Sequence, residues 1–288
     1  MKHITTYMND QLQALYPPEE IRGFIRIILE KVCGLSNNQQ ILCKDKQIPE
    51  NEKNRIYEIV DRLKMMEPLQ YIFGETEFYS YRLAVNPSVM IPRPETEELV
   101  DMIIKSDYIN ARSKRLSFSI LDVGTGSGCI IIALANHFRE CFAEAVDISI
   151  PALELASRNS FQYDESILFK NIDILDTENF IKNSIYKFDL IVSNPPYIKK
   201  NEKAAMSANV LDYEPHQALF VPSTKPIIYY EAIADFALKK LKSGGMIFFE
   251  INPLCCKLIV NMLHKKGFTN TSVIRDLSGK ERFITIIK

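Results

Sequence analysis

Histidine and cysteine, the residues most used for metal and covalent chemistry, are sparse in this chain of 288 residues. Four histidines lie scattered, and six cysteines (Cys33, Cys43, Cys129, Cys141, Cys255 and Cys256) show no paired metal-ligand spacing. Neither a metal centre nor a cysteine nucleophile is supported, and most of the cysteines read as small core residues in a reducing cytoplasm. No apolar run approaches the length of a membrane span, and the amino terminus has no signal-peptide pattern. The expectation is a cytoplasmic protein without membrane contact. An excess of charge is missing too: the formal net charge is −1. Residues 1–70 carry ten basic and ten acidic side chains, where a partner of naked nucleic acid would call for a basic face.

Glycine is scarce as well, with ten in the whole chain, yet three of them fall within five positions, Gly124, Gly126 and Gly128. They belong to Asp122-Val123-Gly124-Thr125-Gly126-Ser127-Gly128, which follows a short apolar strand, Ser117 to Leu121, and precedes an apolar helical stretch, Cys129 to Phe138. Strand, glycine-rich turn and helix make the layout of a nucleotide-type cofactor site at the carboxyl edge of a parallel sheet. A dinucleotide fingerprint would require glycine at position 129, where this chain has Cys129. An acid, Asp122, opens the loop instead. A carboxylate there is poorly matched to a pyrophosphate and well matched to an ammonium or sulfonium, both of which S-adenosylmethionine carries. The next strand, Ala143 to Val146, ends in Asp147, placed to accept from two ribose hydroxyls, although a helix N-cap is the alternative. Asp173 and Ile174, after the apolar stretch Ile167 to Phe169, read equally as contacts to the adenine ring or as ordinary loop residues.

The second motif is Asn194-Pro195-Pro196-Tyr197, at the end of the apolar run Phe188 to Val192, which only Asp189 interrupts. Two prolines stop the strand. The stiff turn holds one carboxamide and one backbone carbonyl in fixed directions, and two such acceptors can grip both hydrogens of a planar NH2 group.

Around these motifs the chain divides into three parts. Residues 1–66 read as helices, with Pro17-Pro18 opening one and a second running from about Glu50 to Met66; Ser36 to Gln40 reads as a polar break between helices. Residues 67–94 read as a β-hairpin linker turning at Gly74. Beyond it, Arg93 and Glu95 stand on a proline-stiffened corner before an apolar helix, Leu99 to Ile104, and could line the mouth of a site. From residue 115 strands and helices alternate as in a doubly wound parallel sheet. Gly244-Gly245 are expected to turn the chain into strand Met246 to Ile251. Helix Leu254 to Lys266 and an antiparallel hairpin (Thr271 to Arg275, Arg282 to Ile287) close it. The fold class is therefore α/β: residues 95–288 form a Rossmann-like catalytic domain, preceded by a small helical one.

With both motifs and their spacing, the chain resembles the release factor glutamine methyltransferases (PrmC/HemK). Its most specific segments are PLQYIFGETEFYSYRLAVNPSVMIPRPETEELV (68–100), DVGTGSG (122–128), SNPPYI (193–198), YEPHQAL (213–219) and RDLSGKERF (275–283). The resemblance implies a class I S-adenosylmethionine-dependent methyltransferase behind a helical substrate-docking domain, with S-adenosylhomocysteine as product. Asp122, Gly124, Thr125, Gly126, Ser127, Gly128, Asp147, Asp173, Ile174 and Asn194 would hold the cofactor. Asn194, Pro195, Pro196 and Tyr197, with Arg93 and Glu95 nearby, would hold the substrate glutamine, Tyr197 covering the amide face. The implied partner is the Gly-Gly-Gln loop of peptide chain release factors, with the enzyme a monomer that binds no nucleic acid directly. A methyltransferase acting on an exocyclic amino group of adenine or rRNA guanine is the alternative, since its target is also an NH2 on a planar carbon.

Overall fold

Residues 1–42, 45–115, 117–163 and 166–288 are described by a computed structural model, in which the chain divides into two units. The first comprises Met1–Phe73 with Ala208–Tyr213. Its helices are α1 (Lys2–Leu12), α2 (Pro18–Cys33), α3 (Asn37–Leu42), α4 (Glu50–Lys64) and α5 (Leu69–Phe73), joined by α11 (Ala208–Tyr213). Helix α2 starts with proline at N1 and two acids in its first turn, and stops at Gly34, whose φ of +62° suits glycine. Ile21, Ile28 and Leu29 of α2 pack with Ile56, Ile59, Val60 and Leu63 of α4 and with Ile4, Met8 and Leu12 of α1 in one apolar core. The expected polar break at Ser36–Gln40 is instead the start of α3. The Ser36 and Gln39 side chains each accept the other's backbone N–H, a reciprocal capping box that starts a helix from polar residues. Leu69–Phe73, read as part of the hairpin, is one short helical turn whose Leu69, Ile72 and Phe73 join the apolar core.

The second unit, Gly74–Ser207 with Glu214–Lys288, carries the hairpin β1 (Glu75–Phe78) and β2 (Tyr81–Ala84) and a seven-stranded sheet. The sheet strands are β3 (Ser119–Val123), β4 (Phe142–Asp147), β5 (Ile167–Asn171), β6 (Phe188–Ser193), β9 (Leu241–Glu250), β10 (Asn270–Arg275) and β11 (Glu281–Ile287); β7 (Ile198–Lys199) and β8 (Phe220–Val221) pair separately. Spatial order is β10-β11-β9-β6-β3-β4-β5, with β5, β4, β3, β6 and β9 parallel and β10 and β11 antiparallel. The chain winds outward from β3 through β4 to β5, then returns to β6 on the other side. A crevice opens outside the carboxyl ends of β3 and β6, where ligands bind in open α/β sheets.

Strand residues alternate between two cores. Leu121, Val123, Ile191, Ile247 and Phe249 face helices α10 (Thr177–Asn183), α13 (Ile228–Lys240) and α14 (Cys256–Lys265). Ile120, Leu190, Val192 and Phe248 face α6 (Pro94–Ile104), α7 (Asp107–Ser113) and α8 (Cys129–His137). Asp189, the one acid in β6, lies near that strand's start, pairing with Arg112 at 2.7 Å and Lys242 at 2.6 Å. The Gly244-Gly245 pair is not a turn before β9 but a bulge within it. The pairing with β6 jumps from Leu241 to Met246, and Gly244 N–H and Gly245 C=O bond to Lys288. Among the described residues no helix is long and apolar enough to cross a membrane, and no cluster could hold a metal ion. Cys129, Cys255 and Cys256 are buried and Cys33 and Cys141 half-buried, whereas Cys43 lies outside the described residues.

Candidate active site

At the crevice a cavity of about 190 Å³ is walled by Gly124, Thr125, Gly126 and Ser127 on one side and by Asn194, Pro195 and Pro196 on the other. Asp147, Asp173 and Ile174 line it too, so ten of the residues singled out from sequence converge there.

The glycine loop is held through its own backbone N–H groups. The N–H groups of Gly124 and Thr125 both donate to Val146 C=O (2.8 and 3.1 Å), and Gly126 N–H donates to Asp147 Oδ2 at 2.9 Å. Gly124 and Gly126 have φ of +76° and +55°, and open space stands where a Cβ would be. A ligand can therefore approach the main chain there. Gly128 is different and does not line the cavity. A Cβ on it would stand 3.1 Å from Ala156 Cβ and 3.1 Å from Ile132 Cδ1, so this glycine lets α8 pack against α9 (Ile150–Phe161).

Asp122 departs from expectation. It is a strand residue, opposite Ala145 of β4 and Val192 of β6, fully buried behind the loop and not on the cavity wall. Its Oδ2 accepts the Thr125 hydroxyl at 2.7 Å. Burial, with the nearby Asp147 adding to it, pushes the Asp122 carboxyl up to about 7. Asp147 Oδ1 accepts Ser149 N–H at 2.9 Å, and burial raises its pKa against three backbone N–H groups that lower it. A cationic ligand bound there would favour the ionised form of both carboxyls, which then make a negative pole for it.

S-adenosylmethionine fits the residues present: bare backbone at Gly124 and Gly126, an acid at the end of β4, and apolar Ile148, Ile172 and Ile174. Asp173 Oδ1 is engaged by Leu175 N–H at 2.9 Å, a loop-turn bond, while Asp173 still reaches the cavity. A tyrosine also stands on the wall, Tyr229 of α13, which sequence reading missed because α13 lies far along the chain.

On the Asn194 side the polar groups form a chain of side chains. Asn194 Nδ2 donates to Thr96 Oγ1 at 3.1 Å, Thr96 Oγ1 donates to Glu250 Oε2 at 2.8 Å, and Tyr197 Oη donates to Glu250 Oε1 at 3.3 Å. Tyr197 thus does not cover the cavity. Its hydroxyl seeks the buried carboxylate, and its ring packs on the core behind β6. Glu250 and Thr96 are almost completely buried, 1% and 2% exposed. Sequence reading missed both. Glu250 is the last residue of β9, and Ser193↔Phe249 pairing sets it beside Asn194. The available signal was one acid closing an apolar strand at the carboxyl edge. Burial pushes the Glu250 carboxyl up to about 7, partly offset by Thr96, Arg282 and Tyr197, with Glu95 raising it further.

Arg93 and Glu95 are not on the cavity wall either. Arg93 is drawn to Glu214, which is 4% exposed and also accepts Ile91 N–H at 3.2 Å. That pairing fixes the proline corner that carries α6 and hence Thr96. Glu95 sits half-buried in the first turn of α6, where acids suit the helix dipole. On the hairpin side Asn159 acts as a surrogate strand. It accepts Ala84 N–H (2.8 Å) and donates to Ala84 C=O (3.0 Å) and Ser127 C=O (2.9 Å), tying β2 to the glycine loop.

Comparison with known proteins bears on the family. A family model described as the methyltransferase small domain matches residues 108–217, and one described as the PrmC N-terminal domain matches residues 4–74. The release factor glutamine methyltransferase of Bacteroides thetaiotaomicron is 38% identical over 285 residues, 99% of each chain. That of Flavobacterium psychrophilum is 38% identical over 286 residues, 99% of this chain and 98% of the other. Among solved structures, the hMettl16 catalytic domain, crystallised with the MAT2A 3′UTR hairpin 1, superposes with a TM-score of 0.53 at 14% identity, covering 83% of this chain and 80% of that one. At that identity it speaks for the fold alone. Near-complete coverage at 38% identity decides the family: this chain belongs to the release factor glutamine methyltransferases.

Proposed function

We propose that this protein transfers a methyl group from S-adenosylmethionine to the side-chain amide nitrogen of the glutamine in the Gly-Gly-Gln loop of peptide chain release factors. The observation that carries the reading is the pairing, in one cavity, of a bare glycine loop with the Asn194-Pro195-Pro196 turn, in a chain belonging to that family. The helical unit is assigned to holding the protein substrate, and the enzyme to acting as a monomer without nucleic acid.

An amide nitrogen is a weak nucleophile because its lone pair is delocalised into the carbonyl. The Asn194 Oδ1 and the Pro195 carbonyl each accept one N–H of the target NH2. Their fixed directions favour partial pyramidalisation and aim the nitrogen. Bound in the cavity, S-adenosylmethionine supplies a methyl already activated on a sulfonium. Gly124, Gly126 and Asp147 would hold and orient it, and Asp122 and Asp147 would favour its positive charge. No strong general base is required, because a methylated amide nitrogen is acidic enough to lose its proton after transfer. Positioning therefore carries most of the effect. Pro196, on the cavity wall, takes the covering role first given to Tyr197.

Incubation with labelled cofactor and either a release factor or structured RNA and DNA tests the reading. Mass spectrometry of the Gly-Gly-Gln peptide is expected to show one added methyl on glutamine. Label entering nucleic acid and not the release factor would reverse it.

A further inference from the structure

We propose that Thr96 and Glu250 are positioning residues, which fix the Asn194 carboxamide in the one orientation that offers its oxygen, not its NH2, to the substrate. This deepens the reading above and rests on it.

The argument is one of hydrogen-bond direction. A carboxamide can bind by either end, and only the oxygen end can accept from a target NH2. An Asn194 turned the other way would present NH2 to NH2. Nothing in the Asn-Pro-Pro-Tyr turn itself decides between the two. The decision comes from β9 and α6. An ionised carboxylate only accepts hydrogen bonds, and Glu250 receives hydroxyls on both oxygens, Thr96 on Oε2 at 2.8 Å and Tyr197 on Oε1 at 3.3 Å. The Thr96 hydrogen is thereby committed inward. Thr96 Oγ1 faces Asn194 with lone pairs alone, and only Nδ2–H can satisfy it, at 3.1 Å. Asn194 Oδ1 is left for the cavity. Because Thr96 and Glu250 are almost fully sealed from solvent, water cannot substitute for either partner.

Protonation of Glu250 would undo this order. A protonated Oε2 donates to Thr96, whose own hydrogen then turns toward Asn194 and selects the flipped amide. The charged and titratable groups facing Glu250 are Glu95 from α6, Tyr197 from the turn after β6, Tyr230 from α13, Arg282 from β11 and Cys129 from α8. Arg282 is the one cation among them and favours the ionised form.

The test uses the full chain with a release factor as substrate. Thr96→Val keeps the shape but removes the hydroxyl, and kcat is expected to fall about 30-fold, in line with the loss from a misdirected catalytic contact. Substrate KM and S-adenosylhomocysteine affinity by calorimetry should change less than threefold. Thr96→Ser, which restores the hydroxyl, should recover kcat to within about threefold of wild type. A merely structural Thr96 would give equal losses in both variants, or losses in ligand affinity and melting temperature that track the loss in kcat. Either result, or a Thr96→Val kcat within twofold of wild type, overturns the proposal. Should Thr96→Val not fold, wild type decides. Its kcat at saturating substrate should fall as pH drops below about 7, and a constant kcat from pH 6 to 8 overturns the relay. Failure of wild type to methylate the release factor at any pH would instead refute the substrate assignment, a separate outcome.

Discussion

The two walls of the cavity are built by different means. The Gly124–Ser127 wall is main chain anchored on the adjacent strand, by two bonds to Val146 C=O and one to the Asp147 carboxylate. The Asn194 wall depends on side chains brought from residues 98 and 154 positions apart in the chain, Asn194 to Thr96 and Thr96 to Glu250. A backbone cradle tolerates many side chains and fails only where a Cβ intrudes. A side-chain relay fails at any member, and its failures are felt in turnover before they are felt in the fold.

The sharpest way to separate the walls is Asn194→Ala. Turnover is expected to fall by roughly 3–4 kcal/mol in activation free energy, by analogy with losing one transition-state donor. Cofactor affinity by isothermal titration should stay near wild type. A variant that turns over normally would show that the Asn194 wall is not a grip at all.

The relay wall also predicts a pH signature in stability. Glu250 in the folded chain ionises at about 7, above the ordinary glutamate value, so the native state holds its proton more tightly than the unfolded state does. The stability this contributes is complete below about pH 4.5 and is lost as pH rises through about 7. Glu250→Gln cannot lose that proton. Relative to wild type, the variant should therefore gain about 3 kcal/mol between pH 4.5 and pH 8, whatever its fixed offset. Denaturant titrations of both proteins across that range measure it. A parallel pair of pH curves would place the Glu250 carboxyl in its ordinary range. Asp122, also raised, stays in both proteins and cancels.

The same contrast explains what could be read from sequence. Strand, loop and helix around DVGTGSG are local, and three glycines in a chain that has ten are a conspicuous departure. Asn-Pro-Pro-Tyr is local too, and the parallel sense of the central strands follows from βαβ alternation. Asp122 was placed correctly in sequence but misread in space. One more residue of β3, pairing with β4 and β6, carries it behind the loop and gives its carboxylate to Thr125. Tyr197 and Arg93 were misplaced because their directions are set by Glu250 and Glu214, acids distant in sequence whose burial demands partners, and Glu95 because it stays in the first turn of α6. Thr96 lies inside the segment 68–100 without any local mark of its role. Only the sheet register between β6 and β9 shows what it joins.

On the backbone wall, Gly128→Ala should act through folding. The new Cβ must take a φ of +81° and meet Ala156 and Ile132, which together cost about 2 kcal/mol. A fall in melting temperature, with cofactor affinity retained in the folded fraction, is the expected result. Loss of affinity without loss of stability would return Gly128 to the cofactor site, where sequence had put it.

The smallest effect expected is also the most specific. Asp147→Ala removes a carboxylate from the end of β4 and frees Gly126 N–H and Ser149 N–H, both of which lie at the cavity where solvent can reach them. The loop keeps its two anchors on Val146 C=O, so the cradle survives. What is lost is an acceptor for the ligand and half of the negative pole, about 1–2 kcal/mol, or roughly a tenfold weaker Kd for S-adenosylhomocysteine. At saturating cofactor, kcat should be close to wild type, because the relay behind Asn194 is intact. The mirror-image pair, one variant losing turnover but not affinity and the other affinity but not turnover, is what two independently built walls require. If Asp147→Ala lowered kcat as much as it weakened Kd, the walls would be coupled through the loop between β3 and α8, and their separation would have to be abandoned.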